Sequence, residues 1–233
     1  MDNLTTRTLP PRTGEIKKIH IKDKLKDLGL VFEDLILGDF DNIGEFTAKK
    51  SRNPDHPLYS AAGAFFRPNY ERGILIYQLI RHYEIDSFLE IGFGRGYGTF
   101  CAAMAMAHKG SGKVVTIDPN LNKDFLEQLS RVFPADWFQR IEFRQGTSQD
   151  VLPNLDEDFD FIYIDGNAGS GQEKGETIFN WYCKLKPGGI YSGHDYYKKY
   201  PLTIENVNKF AERYEKQLNF TTERKFNSWW VVK

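Results

Sequence analysis

Two acids and a histidine follow two predicted β-strands in this sequence. Asp165 comes directly after a strand predicted at residues 159–164, and His194 and Asp195 follow one predicted at residues 190–192. Parallel strands end at the same edge of a sheet, so we expect the three side chains to converge. They could bind a hard divalent cation such as Mg²⁺, which would lower the pKa of a bound hydroxyl. Alternatively, His194 is a general base oriented by a carboxylate, or the group only hydrogen-bonds loops over the sheet.

A glycine-rich turn lies between a predicted strand and a predicted helix at residues 88–99, which read FLEIGFGRGYGT. An acid, Glu90, lies near the end of the apolar run, and glycines then occupy alternate positions: Gly92, Gly94, Gly96 and Gly98. Strand, glycine turn and helix begin a nucleotide-binding α/β unit. The dinucleotide fingerprint also needs glycine at the sixth position, where Tyr97 or Thr99 stands in the two available registers. The turn therefore favours another ligand, or it is a tight turn that binds nothing.

Polar residues also follow the second and third predicted strands, at residues 113–118 and 141–145. Asp118, which ends the second strand, could accept hydrogen bonds from both hydroxyls of a ribose, or it could cap the next helix. Three small or polar residues after the third strand could line an adenine edge, cap the following turn, or do both: Thr147, Ser148 and Gln149.

The elements that would position these residues alternate between strand and helix from residue 69 to residue 233. This alternation predicts an α/β, doubly wound, Rossmann-like domain, with a mostly parallel seven-stranded sheet. Two C-terminal runs, at residues 220–224 and 229–232, are close enough in sequence to form an antiparallel pair. Residues 1–68 are predicted to form a tail, a helical region and an irregular segment that is either a lid or a solvated surface loop.

Composition limits the classes of function. The net charge of −1 over 233 residues provides no global field that would attract nucleic acid. The two cysteines, Cys101 and Cys183, have no metal-binding spacing and favour a reducing compartment. The first 15 residues lack the apolar core of a signal peptide, and no apolar run approaches the length of a membrane span. We therefore expect a cytoplasmic protein without a membrane partner. The sequence leaves open whether the protein forms a homo-oligomer.

Five segments together resemble the class I S-adenosylmethionine-dependent methyltransferases in order and spacing: FLEIGFGRGYGT, VVTIDP, GTSQDVLP, FDFIYIDGN and LKPGGIYSGHDY. The strongest likeness is to small-molecule O-methyltransferases of the catechol and macrocin types. This resemblance implies that S-adenosylmethionine is the cofactor, and a carboxylate such as Glu90 suits its ammonium group. The implied cofactor-binding residues are Glu90, Gly92, Gly94, Gly96, Tyr97, Asp118, Thr147, Ser148, Gln149 and Asp165.

The macrocin-type branch also implies a metal site, since acids at the ends of its fourth and fifth strands bind Mg²⁺. By position, Asp165 and Asp195 would be ligands, and His194 stands where that branch has a further acid. Many related sequences have a histidine at the position of Ala168. These departures leave open whether the chain uses a metal.

The expected reaction is methylation of a hydroxyl on a small polar molecule, such as a sugar, a glycan unit or a secondary metabolite. Asp165, His194 and Asp195 are the expected catalytic residues. Methylation of DNA amino groups would need the motif Asp/Asn-Pro-Pro-aromatic after the fourth strand. Methylation of cytosine at C5 would need a Pro-Cys pair, and neither motif is present. Two alternatives remain: a cofactor-binding or partner-binding protein without catalysis, and an RNA-directed methyltransferase.

Overall fold

The computed structural model describes residues 70–166, 171–221 and 227–233. The predicted N-terminal tail, helical region and lid, together with Asn167 and Ala168, lie outside the described residues. Seven α-helices are described: α1 (Tyr70–His82), α2 (Tyr97–Lys109), α3 (Lys123–Val132), α4 (Ala135–Phe138), α5 (Ser148–Val151), α6 (Gly171–Asn180) and α7 (Pro201–Arg213). The seven described strands are β1 (Ser87–Ile91), β2 (Lys113–Asp118), β3 (Ile141–Gln145), β4 (Phe159–Ile164), β5 (Leu185–Tyr196), β6 (Asn219–Phe220) and β7 (Asn227–Val232).

The strands form one sheet in the order β3-β2-β1-β4-β5-β7-β6. Strands β1 to β5 pair in parallel, and β7 runs antiparallel to both β5 and β6. The predicted doubly wound sheet with an antiparallel C-terminal strand is therefore confirmed. The strand order reverses between β1 and β4, and in such sheets ligands bind in the crevice at this point, beyond the carboxyl ends of the strands.

The central strands are buried on both faces, which explains their nearly continuous apolar sequence. In β4, Phe161 and Tyr163 join one hydrophobic cluster, and Ile162 and Ile164 join the other. The first cluster includes residues of helices α1 to α4, and the second includes residues of α6 and α7. Two helical layers thus cover the sheet and position the carboxyl ends of β1 and β4. Among the described residues, no helix combines the length and apolarity needed to cross a membrane.

Strand β5 is longer than the sequence predicts. Residues 187–189, Pro-Gly-Gly, read as a turn before a strand at residues 190–192, but the strand extends from Leu185 to Tyr196. Its pairing shifts register next to β4 and again, next to β7, between Gly193 and Tyr196. The irregular pairing accommodates residues that a regular central strand would exclude. His194 and Asp195 consequently lie in the irregular end of the strand, not after it.

Candidate active site

The glycine-rich turn connects β1 to α2 at the carboxyl edge of the sheet. Gly92, Gly94 and Gly96 have φ values of 101°, 52° and 83°, which lie in the left-handed region that favours glycine. Gly96 is the N-cap of α2, and its amide donates to the carbonyl of Phe93 at 2.7 Å. The backbone therefore turns away from β1 without side chains that would fill the space above the strand.

Glu90 is a buried carboxyl beneath this turn, and 1% of its surface is exposed. It accepts a hydrogen bond from the hydroxyl of Thr99, and the backbone of Gly98 packs so closely that any side chain there would collide with the carboxylate. Burial, together with the negative charge of Asp165, raises the pKa of Glu90 to about 8. A cation that reached this carboxyl would favour its ionised form.

A cavity of about 540 Å³ opens between these elements, at the switch point of the sheet. Its volume lies within the range of about 300–1,000 Å³ that is usual for small-molecule sites. Eight of the ten predicted cofactor-binding residues line it: Glu90, Gly92, Gly94, Tyr97, Asp118, Thr147, Ser148 and Asp165. Gly96 and Gln149 lie beside this wall and are not part of it. The structure thus brings together residues that are up to 75 positions apart in sequence, from Glu90 to Asp165.

Polar groups are fixed at the rim of the cavity by the local backbone. Asp118 accepts hydrogen bonds from the amides of Gly94 at 3.0 Å and Asn120 at 2.8 Å, so it ties the glycine turn to the end of β2. Thr147 caps α5 by accepting from the amide of Asp150. The buried hydroxyl of Ser148 donates to Oε1 of Gln149 at 2.9 Å. Helix capping, one of the two roles predicted for this segment, therefore belongs to Thr147.

The three predicted catalytic residues do converge. Nδ1 of His194 lies 3.2 Å from Oδ1 of Asp165 and 3.2 Å from Oδ1 of Asp195. Asp165 lines the cavity, so the cluster borders it directly. Burial alone would lower the pKa of His194, but the charge of Asp165 and hydrogen bonds to both carboxylates outweigh it, and the pKa is raised.

Two buried basic side chains complete this cluster, and the sequence interpretation missed both. Arg72 of α1 pairs with Oδ2 of Asp165, and its guanidinium carbon lies 5.3 Å from the centre of the Tyr97 ring. Lys174 of α6 donates to Oδ2 of Asp195 at 2.9 Å, and its side chain is 0% exposed. Burial would raise the pKa of both acids, but these cations and His194 reverse the effect, so the pKa values of Asp165 and Asp195 are lowered.

A signal for Lys174 does exist in the sequence. It precedes Ile178 by four positions, and Trp181, Tyr182 and Leu185 continue the same apolar face. A lysine in line with an apolar stripe is a candidate for burial with a partner acid. In α1, Arg72 likewise precedes the apolar residue Ile76 by four positions.

The backbone also directs Asp195 into the cluster. Its φ is 64°, in the left-handed region, and its carbonyl accepts a hydrogen bond from the amide of Tyr197 at 2.7 Å. Aspartate tolerates this conformation better than most residues, although it is still uncommon outside glycine. Such conformations persist where the surrounding contacts hold them, and here Lys174 and His194 hold the side chain.

A metal ion fits the donor set by atom type but not by charge. One ligand atom from each of Asp165, His194 and Asp195 can be chosen so that all lie within 4.8 Å of one another. Each of the four carboxylate oxygens, however, already faces a basic side chain: His194 at both Oδ1 atoms, Arg72 and Lys174 at the Oδ2 atoms. The predicted metal role of these residues therefore stays a prediction that their present partners oppose.

Comparison with known proteins places this geometry in context. A family model described as a methyltransferase domain matches residues 89–196. Caffeoyl-CoA O-methyltransferase 2 of Petunia hybrida is 26% identical over 130 residues, which cover 52% of this chain and 50% of that protein. The chain thus spans about half the length of this curated relative.

Solved structures share the fold at low sequence identity. The O-methyltransferase TomG from Streptomyces achromogenes, solved in complex with S-adenosylmethionine, has a TM-score of 0.59 and 19% identity, with 91% of this chain and 96% of that chain covered. The O-methyltransferase from Bacillus cereus, solved with S-adenosylhomocysteine, has a TM-score of 0.59 and 20% identity. The match covers 91% of this chain and 97% of that chain.

Proposed function

We propose that the chain is an S-adenosylmethionine-dependent methyltransferase that transfers a methyl group to a hydroxyl oxygen of a small polar molecule. The match of residues 89–196 to a methyltransferase-domain model supports this proposal. The observation that carries the proposal is the position of the cluster of Asp165, His194 and Asp195. It borders the cavity beneath the glycine turn, so a bound cofactor and a proton acceptor would meet at one edge of the sheet.

The cavity offers matching groups to each part of the cofactor. The carboxyl of Glu90 would face the ammonium group, and Asp118 at the end of β2 would accept hydrogen bonds from the ribose hydroxyls. Thr147 and Ser148 would border the adenine. When bound, S-adenosylmethionine supplies an electrophilic methyl group on a sulfonium. The chain's own residues must then orient the acceptor and take its proton.

We assign the proton transfer to His194. Its Nδ1 faces two carboxylates, which fix the imidazole ring and would stabilise the imidazolium formed. The acceptor hydroxyl would give its proton to Nε2 as its oxygen forms the new bond to the methyl carbon. His194 would then release this proton to solvent. Holding the acceptor in line is expected to contribute a large part of the rate.

Two classes of acceptor are proposed, one from the sequence and one from the name of the relative. The petunia relative is named for caffeoyl-CoA, so phenolic hydroxyls belong in a first screen beside the sugar and glycan hydroxyls expected from the sequence. The balanced charge of the chain favours a small acceptor over RNA.

Titration calorimetry with S-adenosylmethionine and S-adenosylhomocysteine tests the first step. We expect both to bind, and Asp118→Asn to weaken both, since it removes the charge that would hold the ribose. A transfer assay with radiolabelled methyl donor then screens the acceptors. Absence of binding by both ligands would contradict the proposal.

A further inference from the structure

The carboxylates of the catalytic cluster are neutralised by the protein itself. Asp165 lies between Arg72 and His194, and Asp195 lies between Lys174 and His194. The two acids carry two negative charges, and Arg72 and Lys174 carry two positive ones, so the four side chains sum to zero before His194 is counted. A divalent cation added here would meet no net negative charge from these four side chains, although hard cations depend on negative charge for binding.

Displacing the basic side chains would also be unfavourable. Lys174 is fully buried in α6, and Asp195 is the partner that its ammonium contacts among the described residues. A metal ion that took Oδ2 of Asp195 would leave this ammonium buried without its counter-charge, which is strongly destabilising. Arg72 is 5% exposed and would lose its ion pair with Asp165.

We propose that this cluster works without a metal ion, and that the buried cations of Lys174 and Arg72 take the place of a divalent cation. They keep both acids ionised and fixed, and the acids in turn hold the imidazole of His194. Lys174 is thus a positioning residue: it anchors Oδ2 of Asp195, while His194 contacts Oδ1. The catalytic part rests on the proposed methyl transfer, but the metal-binding part does not.

Direct metal titration separates the two parts. Mn²⁺ is titrated into the purified full chain, followed by calorimetry and by its paramagnetic resonance signal, with and without saturating S-adenosylhomocysteine. We expect no binding at millimolar Mn²⁺ in either state. Saturable binding to the wild type that Asp195→Asn removes would overturn the proposal, whether or not the protein proves to be a methyltransferase.

Lys174→Met gives the complementary result. It removes the charge but keeps most of the side-chain length, so Asp195 gains a free oxygen and we expect saturable Mn²⁺ binding to appear. Lys174→Arg keeps the charge and should bind no Mn²⁺. The matched control is Lys186→Met, which breaks the 3.0 Å ion pair between Lys186 and Asp160. This pair lies at the amino ends of β4 and β5, away from the cluster. If Lys174→Met stays folded and binds no Mn²⁺, Lys174 does not keep the metal out.

Turnover tests the positioning role once an acceptor is found. Wild-type activity should survive a chelator unchanged. Lys174→Met should lower kcat about 100-fold, as expected when a reacting group is misplaced by about 1 Å, while the affinity for S-adenosylmethionine stays the same. Lys174→Arg should restore most of the rate. Loss of wild-type activity in the chelator, regained with Mg²⁺, would refute the metal-free mechanism even if methyl transfer is confirmed.

Discussion

Glu90 is a carboxyl group that solvent hardly reaches, and its ionisation therefore depends on what enters the cavity beside it. Its pKa of about 8 means that most molecules carry it protonated at neutral pH. A ligand with an ammonium group would stabilise the carboxylate and lower this pKa. We therefore expect the binding of an ammonium-bearing cofactor to be coupled to proton release.

We expect S-adenosylmethionine binding at pH 7 to release a proton from Glu90. Calorimetric titrations in phosphate and in Tris should give different apparent enthalpies, because the two buffers take up the released proton with different heats. Glu90→Gln should remove the difference and weaken binding. The control is Glu173→Gln, since Glu173 also borders the cavity but is exposed. Equal enthalpies for the wild type in both buffers would contradict the coupling.

His194 should control the pH dependence of turnover. A general base is active when deprotonated, so kcat should rise with pH through the pKa of His194, which is raised above its ordinary 6.5. His194→Gln should lower kcat by about 10²–10⁴-fold, the usual contribution of general base catalysis, with cofactor affinity unchanged. A pH–rate profile that is flat from pH 6 to 8, or a fully active His194→Gln variant, would show that the proton goes elsewhere.

At the scale of elements, the start of α2 is packed against the end of β1. Gly98 lies in the first turn of the helix, and its lack of a side chain lets the helix rest on the carboxylate of Glu90. The helix, the turn and the buried acid therefore form one unit. A side chain added at Gly98 should therefore alter cofactor binding by displacing Glu90.

Gly98→Ala tests this unit. Alanine is a better helix former than glycine by about 1 kcal/mol, yet its methyl group would collide with Glu90, so we expect lower thermal stability and weaker S-adenosylhomocysteine binding. Gly110→Ala is the matched control at the C-cap of the same helix. Its φ of 90° strains an alanine, but nothing lies within 4 Å of the added atom. It should lower stability and leave binding unchanged; the same binding loss in both variants would argue against the steric account.

The sequence predicts these elements well where one physical signal dominates. Buried parallel strands such as β4 are apolar throughout, and the alternate glycines mark the turn after β1. The prediction fails at β5, because Pro187 and Gly188 usually end a strand and here lie where its pairing is irregular. It misses Arg72 and Lys174 because lysine and arginine on helices are usually solvated, and only the folded sheet shows which acids they meet.

At the scale of the whole molecule, the cluster joins the two helical layers. Arg72 comes from α1 on one face of the sheet and Lys174 from α6 on the other, and each pairs with an acid at the end of a central strand. Changes of pH at this edge should therefore affect the stability of the whole domain.

Stability of the cofactor-free protein should be greatest near pH 4–5. The pKa values of Asp165 and Asp195 are lowered from 3.8, so their contribution is complete above this value and is lost as pH falls through the lower values of the folded state. The pKa of Glu90 is raised from 4.5 to about 8, so stability declines as pH rises between these values, at up to about 1.4 kcal/mol per unit. His194 acts in the same direction as Glu90.

Thermal unfolding measured from pH 3 to 9 checks this profile. Glu90→Gln should reduce the loss of stability between pH 5 and 8. Saturating S-adenosylhomocysteine should shift the pH of greatest stability upwards, since its ammonium group favours ionised Glu90. Glu142→Gln, on an exposed position of β3, should change neither effect. A wild-type protein that becomes steadily more stable from pH 5 to 8 would contradict the assignment.

Strand β7 has a consequence for how the protein is made. It pairs with β5 along Ile190–Gly193, and Ser192 donates to the carbonyl of Trp229 at 2.6 Å. Thirty residues separate the end of β5 from the start of β7, so the strand that carries His194 has an open hydrogen-bonding edge until β7 folds onto it. An unpaired edge of this kind invites association between nascent chains. Until β7 pairs with it, β5 is therefore the edge at which we expect partly folded chains to associate.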